Sequence, residues 1–247
     1  GKPQMAENTK GIATGTMTIQ ATDGSGGFDA YVARPTGREG PLGAVVMIQE
    51  IFGVNHAMRA LCEWVADMGF LAISPDLFWR LEPGVELTDG SEKEWQRAFE
   101  LMNAFDQQKG VEDLKATLEV ARRMEGANGK AGTMGFCLGG RLATMMALES
   151  DADCNISYYG VGLDGLLGAA QKISKPLILH IAEKDRFVPP EAQEKIRAML
   201  DGHPTATAYT YPGVDHAFAR MGGHSWDGLA ATIANGRSAE LLQRCLA

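Results

Sequence analysis

Gly132-Thr133-Met134-Gly135-Phe136-Cys137-Leu138-Gly139-Gly140 joins the end of an apolar run to a stretch where Leu138, Leu142, Met145 and Met146 recur at helical spacing. The implied path is strand, tight turn, helix. Glycines at 135, 139 and 140 stand where a sharp turn needs small side chains, so that the Cys137 side chain projects clear of the sheet beside a helix N-terminus. A strand that feeds a helix through such a corner points to an α/β fold. Three other uses of a glycine-rich turn are absent here: no G-K-[ST] of a P-loop follows, the glycines of this turn do not form G-x-G-x-x-G, and Ala143 stands where a C-x5-R phosphatase needs arginine. A buried, inert cysteine is the structural alternative.

The rest of the chain supports one domain of this class. Its 247 residues are enough for a large core, with residues 1–11 read as a flexible N-terminal segment and 12–247 as the domain. Met5 reads as a natural start. Thr16 to Ala21 and Phe28 to Arg34 alternate apolar and polar residues around Asp23-Gly24-Ser25-Gly26-Gly27, an antiparallel hairpin expected at a sheet edge. Ala44 to Ile48 is a continuous apolar run, as in a parallel strand covered on both faces. It ends in Gln49-Glu50-Ile51-Phe52-Gly53, where open α/β sheets place ligands.

A helix is expected from Asn55 to Met68, a strand from Phe70 to Ser74, and an irregular excursion from Pro75 to Gly90 that could build a pocket rim. Ser91 with Glu94 forms a capping box for a helix carrying Trp95, Ala98, Phe99, Met102 and Phe105 on one face. Gly110 is expected to break this segment before a further helix through Ala121. Strands follow at Cys154 to Tyr159, Pro176 to Ala182 and Thr205 to Tyr211, with helices from Pro189 or Pro190 to Leu200 and from Trp226 to Leu246. The whole is a mostly parallel central sheet with helices on both faces and an N-terminal antiparallel hairpin.

A formal net charge of -8 without a basic block argues against nucleic acid and for a small-molecule partner. The four cysteines are widely spaced, with no C-x-x-C and no histidines at metal-ligand spacing, so neither a metal nor another cofactor is expected and a reducing cytoplasm suits the chain. No apolar run could span a bilayer. A monomer is expected, on the premise that packing the helices leaves no exposed apolar stripe.

A thiol becomes a nucleophile as thiolate, which calls for a base and a group to orient it. His56 and His203 read as surface, His180 lies inside an apolar strand, and His224 sits in a glycine-rich linker. His216 instead follows the last strand through Tyr211-Pro212-Gly213-Val214-Asp215. Asp185 follows the preceding strand and lies too early to cap a helix beginning at Pro189. Cys137, Asp185 and His216 thus occur in the order nucleophile, acid, histidine of the α/β-hydrolase arrangement.

From about Met17 to Leu246 the sequence resembles the dienelactone hydrolase (carboxymethylenebutenolidase) family. The resemblance rests on Gln49-Glu50-Ile51-Phe52-Gly53-Val54-Asn55, Ser74-Pro75-Asp76-Leu77-Phe78, Gly135-Phe136-Cys137-Leu138-Gly139-Gly140, Tyr158-Tyr159-Gly160-Val161-Gly162, Asp185-Arg186-Phe187-Val188-Pro189 and His216-Ala217-Phe218-Ala219-Arg220. It implies a single-domain α/β-hydrolase fold and a hydrolase of lactones or activated carboxylic esters, in the setting of aromatic degradation. Cys137 would be the nucleophile, His216 the base and Asp185 its orienting acid; Glu50 would take the thiol proton, and the N–H groups of Ile51 and Leu138 would form the oxyanion hole. Phe52, Trp95 and Arg220 would line the substrate pocket. Where the family's best-known members hold a carboxylate with two arginines, Arg220 matches one and Trp95 stands at the other. Arg97, about 200° around the helix from Trp95, is badly placed to substitute. A non-catalytic binding or thiol redox-sensing protein on the same fold is the alternative.

Overall fold

The computed structural model describes residues 3–7, 11–38 and 40–247. The chain divides into two compact units, residues 1–132 with 246–247, and residues 133–245. In the first, the strands β1 (Gln4–Glu7), β2 (Ile12–Gln20), β3 (Gly27–Pro35), β4 (Leu42–Ile48) and β5 (Leu71–Pro75) lie in the order β1-β2-β3-β5-β4. β2 and β3 form the expected hairpin, in register at Ile19 and Phe28, and the Ser25 N–H donates to Asp23 Oδ1 (2.9 Å) inside the turn. The hairpin is not the edge. Gln4-Met5-Ala6-Glu7, part of a stretch without periodicity in the sequence, forms β1 antiparallel to β2, because a strand lying along an edge needs backbone partners more than an apolar face. β3 meets β5 antiparallel, and β5 meets β4 parallel.

Apolar burial explains that arrangement. Ala44 to Ile48 are wholly buried, as a strand covered on both faces requires, with α1 (His56–Asp67) packed on β3 and β5 and α3 (Gln107–Arg123) on β4 and β5. Asn55 caps α1 by accepting the Met58 N–H (3.0 Å), and Ser91 caps α2 (Glu92–Ala104) by accepting that of Glu94 (3.2 Å). Gly110 does not break a helix, contrary to expectation. The break falls at Phe105, Asp106 caps α3 through the Lys109 N–H (3.0 Å), and Gly110 lies within the helix. The Phe105 ring occupies the space a side chain would need: a Cβ at 110 would stand 2.4 Å from Phe105 Cζ.

In the second unit β6 (Ala127–Phe136), β7 (Asn155–Tyr158), β8 (Leu177–Ala182) and β9 (Ala206–Tyr211) run in chain order, all neighbours parallel. α4 (Leu138–Glu149) packs on β7 and α5 (Pro190–Leu200) on β9, while α6 (Gly228–Leu246) closes the chain. Leu163, Leu167, Leu177, Leu179, Val188 and Ile196 belong to one apolar core of this unit. The parallel register brings the C-terminal ends of β6 to β9 to one edge: Phe136 pairs with Tyr158, Tyr158 with His180, and Ala182 with Tyr211. Everything that follows these positions emerges on the same side. The fold is of the expected α/β class.

Candidate active site

Cys137 occupies the corner between β6 and α4 with φ 59° and ψ −115°, a conformation that costs a non-glycine residue energy and survives where its surroundings enforce it. Here the enforcement is visible. The Cys137 N–H donates to Tyr158 O (3.0 Å), and Cys137 O accepts the N–H groups of Gly140 (3.0 Å) and Arg141 (3.1 Å). Gly135 permits the turn, since a Cβ there would lie 1.8 Å from Gly139 O. Leu138 begins the helix, so its N–H has no intrahelical acceptor and adds to the positive end of the helix dipole.

The loops after β8 and β9 are stitched together. Glu183 N–H donates to Tyr211 O (3.0 Å), Lys184 N–H to Val214 O (2.8 Å) and Arg186 N–H to Asp215 Oδ1 (3.1 Å). Buried Gln193, on α5, donates through Nε2 to the carbonyls of Ala182 (3.2 Å), Glu183 (3.0 Å) and Val188 (2.9 Å). These bonds carry Asp185 onto His216. Both are buried, and His216 Nδ1 donates to Asp185 Oδ2 at 2.9 Å, while Asp185 Oδ1 accepts the Phe187 N–H at 2.9 Å. The carboxylate only accepts, which fixes the proton on Nδ1. The imidazole is also held edge-on to Tyr159 (5.1 Å between centroids) and Phe187 (4.9 Å), so it has little freedom to turn.

Burial pulls the His216 pKa down, but the charge of Cys137 and its contact with the ring, together with the Asp185 bond, raise it from 6.5 to about 10. His216 Nε2 is buried and makes no hydrogen bond of ordinary geometry among the described residues. The thiol therefore acts on the ring through its charge rather than through a well-formed bond. The Cys137 charge is thus one of the causes that favour the protonated ring, the Asp185 bond being another. Ala217, directly after His216, has φ 66°, a second strained non-glycine residue at this edge, and Tyr159, with φ 38°, is a third.

Two of the other histidines, His180 and His203, have structural surroundings. His180 bonds to Tyr211 Oη (2.8 Å) and Ser238 Oγ (2.9 Å), and burial, helped by Arg237, lowers its pKa to about 3. His203 receives the N–H groups of Thr205 (3.1 Å) and Ala206 (3.0 Å) in a turn. Arg220 is buried in the second unit, where its carbonyl accepts the Gly223 N–H (3.1 Å). No group of three or more potential metal ligands occurs among the described residues.

Glu50, Ile51, Phe52 and Trp95 belong to the first unit, the first three buried in the loop that leaves β4. Phe52 meets Trp95 edge-on at 5.1 Å, Trp95 stacks on Phe99 at 5.5 Å, and the Trp95 indole N–H donates to Asp89 O (3.1 Å). Arg97 is engaged elsewhere, with Glu82 (3.2 Å) and Glu100 (3.2 Å). The excursion after β5 clamps the Glu50 loop: Leu87 N–H donates to Phe52 O (2.9 Å), and a Cβ on Gly53 would stand 2.1 Å from Val85 O. That excursion is itself tied down by Trp79 Nε1 donating to the buried Asp113 (3.0 Å) and by the Arg80–Asp113 ion pair (3.1 Å from Nη2 to Oδ1). The sequence reading missed Gln193 and the ring contacts of Tyr159 and Phe187. The signal for the two aromatic residues was their place just beyond β7 and β8, in segments quoted only for resemblance.

The comparisons with known proteins agree with this architecture. A solved structure from Klebsiella pneumoniae subsp. pneumoniae, provisionally named a dienelactone hydrolase, superposes with a TM-score of 0.82 at 27% identity, covering 94% of this chain and 99% of that one. An Azospirillum brasilense protein provisionally named carboxymethylenebutenolidase is 53% identical over 230 residues, 93% of this chain and 98% of its own length. Carboxymethylenebutenolidase 1 of Cupriavidus pinatubonensis is 39% identical over 225 residues, 91% of this chain and 95% of its own. The profile of the Dienelactone hydrolase family matches residues 28–246, which contain the Cys137 elbow between β6 and α4, the paired Asp185 and His216, and the clamped loop after β4. Carrying those features on an α/β-hydrolase fold, the chain belongs to the dienelactone hydrolase family of hydrolases.

Proposed function

We propose that this protein hydrolyses lactones or activated carboxylic esters through a thioester, with Cys137 as nucleophile, His216 as base and Asp185 as the acid that orients it. The observation that carries the reading is the 2.9 Å bond from His216 Nδ1 to Asp185, which holds the ring by one nitrogen and leaves the buried Nε2 to act as the base. The Cys137 thiolate attacks the ester carbonyl. The N–H of Leu138, and by family resemblance that of Ile51, stabilise the oxyanion, each donor being worth roughly 3 to 4 kcal/mol. His216 protonates the departing oxygen, then takes a proton from the water that releases the acid. By the same resemblance Glu50 receives the thiol proton when substrate arrives.

A thiolate is itself a good leaving group, so the tetrahedral intermediate tends to revert unless the departing oxygen is a stabilised anion. Enol-lactones and aryl esters should therefore outrun alkyl esters. Arg220 is the cation proposed to meet a substrate carboxylate, with Phe52 and Trp95 forming an aromatic wall where a second arginine would otherwise stand. A role in aromatic degradation in the cytoplasm completes the proposal. No helix among the described residues is long and apolar enough to cross a membrane. The monomer remains the proposed state, although Trp226, Leu229 and Ile233 form an exposed apolar stripe that its premise did not foresee; sedimentation velocity tests it.

The deciding experiment compares wild type with Cys137→Ala on a p-nitrophenyl ester, a carboxylated dienelactone and a neutral enol-lactone. Cys137-dependent turnover is expected on at least one. Turnover no greater than the variant's on all three would overturn the hydrolase mechanism in favour of a binding or redox-sensing role.

A further inference from the structure

Gln49 is wholly buried at the end of β4, and both ends of its amide are used. Oε1 accepts the Leu77 N–H from the segment after β5 (2.9 Å), and Nε2 donates to the carbonyl of Glu50 (3.2 Å), which also receives the Gly53 N–H at 3.4 Å. The carbonyl of Glu50 and the N–H of Ile51 are opposite ends of one peptide unit. No peptide bond among the described residues is cis, so the two groups point in opposite directions, and holding the oxygen aims the N–H. Beyond this unit the loop is held by the Leu87 N–H on Phe52 O (2.9 Å) and by Asn55 Nδ2 on Leu87 O (2.8 Å).

We infer that Gln49 is a positioning residue for ester hydrolysis, its amide clamping the Glu50–Ile51 peptide so that the Ile51 N–H is aimed before substrate arrives. The inference rests on the proposed role of Ile51 as an oxyanion donor. A donor that must swing into place during the reaction loses much of its value, because its reorganisation is then part of the barrier. Buried in place of an aliphatic residue, Gln49 brings two polar ends that would each be costly unpaired; here both are spent on backbone, one of them on this peptide.

The test separates a carbonyl transition state from attack on a saturated carbon. Gln49→Leu is assayed for hydrolysis of a p-nitrophenyl ester and for alkylation of Cys137 by iodoacetamide, a displacement that builds no oxyanion. The expected result is a fall in kcat/KM of about 10- to 100-fold, mainly in kcat, with alkylation within about 2-fold of wild type. If Gln49→Leu does not fold, Gln49→Glu serves, since it keeps an acceptor for the Leu77 N–H and replaces the amide donor with a carboxylate. Equal losses in both reactions, or unchanged hydrolysis, would overturn the inference. Failure of the underlying reading shows separately, as turnover that survives Cys137→Ala.

Discussion

Gly135→Ala tests the elbow directly. The added Cβ would stand 1.8 Å from Gly139 O and 2.3 Å from Gly139 C, both backbone atoms in the first turn of α4, where no side-chain rotation can relieve the contact. Ordinary contact begins at about 3.4 Å, so helix and strand must part by about 1.5 Å. Overpacking of this kind costs about 3 kcal/mol, which for a chain of this length lowers Tm by roughly 6 to 12 °C. The same displacement carries the Leu138 N–H off the oxyanion and the thiol off the carbonyl, and a misplacement of about 1 Å costs about 100-fold in rate. Differential scanning calorimetry and p-nitrophenyl ester kinetics measure the two effects, with circular dichroism confirming the fold. A variant with wild-type kcat/KM and Tm would refute the claim that the corner tolerates no side chain at 135. One that is destabilised yet fully active would refute the link from corner geometry to catalysis.

Asp185→Asn keeps the size of the group that holds His216 Nδ1 but no longer guarantees an acceptor there, and kcat is expected to fall by about 100- to 10,000-fold in steady-state kinetics. The His216 pKa of about 10 lies above the ordinary 6.5, so the protonated ring stabilises the fold fully below about pH 6.5, and that contribution is lost as the pH rises through about 10. NMR titration of the imidazole should show this, and Cys137→Ala, which removes the opposing charge, should lower the His216 pKa; an unchanged value would contradict the pairing. Trp95→Arg should raise activity on carboxylated lactones relative to neutral ones, as a competition assay with mixed substrates would measure, and no change would remove Trp95 from the pocket.

The legibility of this fold in its sequence follows a physical divide. Local chemistry was readable: the caps at Asn55 and Ser91, the hairpin turn at Asp23, and the glycine at 135 each answer to forces within a few residues. Gly110 misled because its reason is the placement of one side chain, the Phe105 ring folded back over the first turn of α3, which a glycine's usual meaning as a helix breaker does not show. β1 escaped because an edge strand of four residues is too short for a periodic signature; its stability comes from β2.

The candidate site divides in the same way. Cys137, Asp185 and His216 stood out because each follows an apolar run, and the parallel register of β6 to β9 converts that shared position in sequence into a shared edge in space. The residues that hold them there were silent. Gln193 reaches three carbonyls from the first turn of α5, and Gln49 aims a peptide from inside a run of buried residues, yet in sequence each is an ordinary glutamine. A reacting residue must be of a particular chemical type, whereas a positioning residue needs only a donor at the right distance, which many residue types and places could supply. That asymmetry makes a nucleophile easier to find in a sequence than the scaffold that makes it effective.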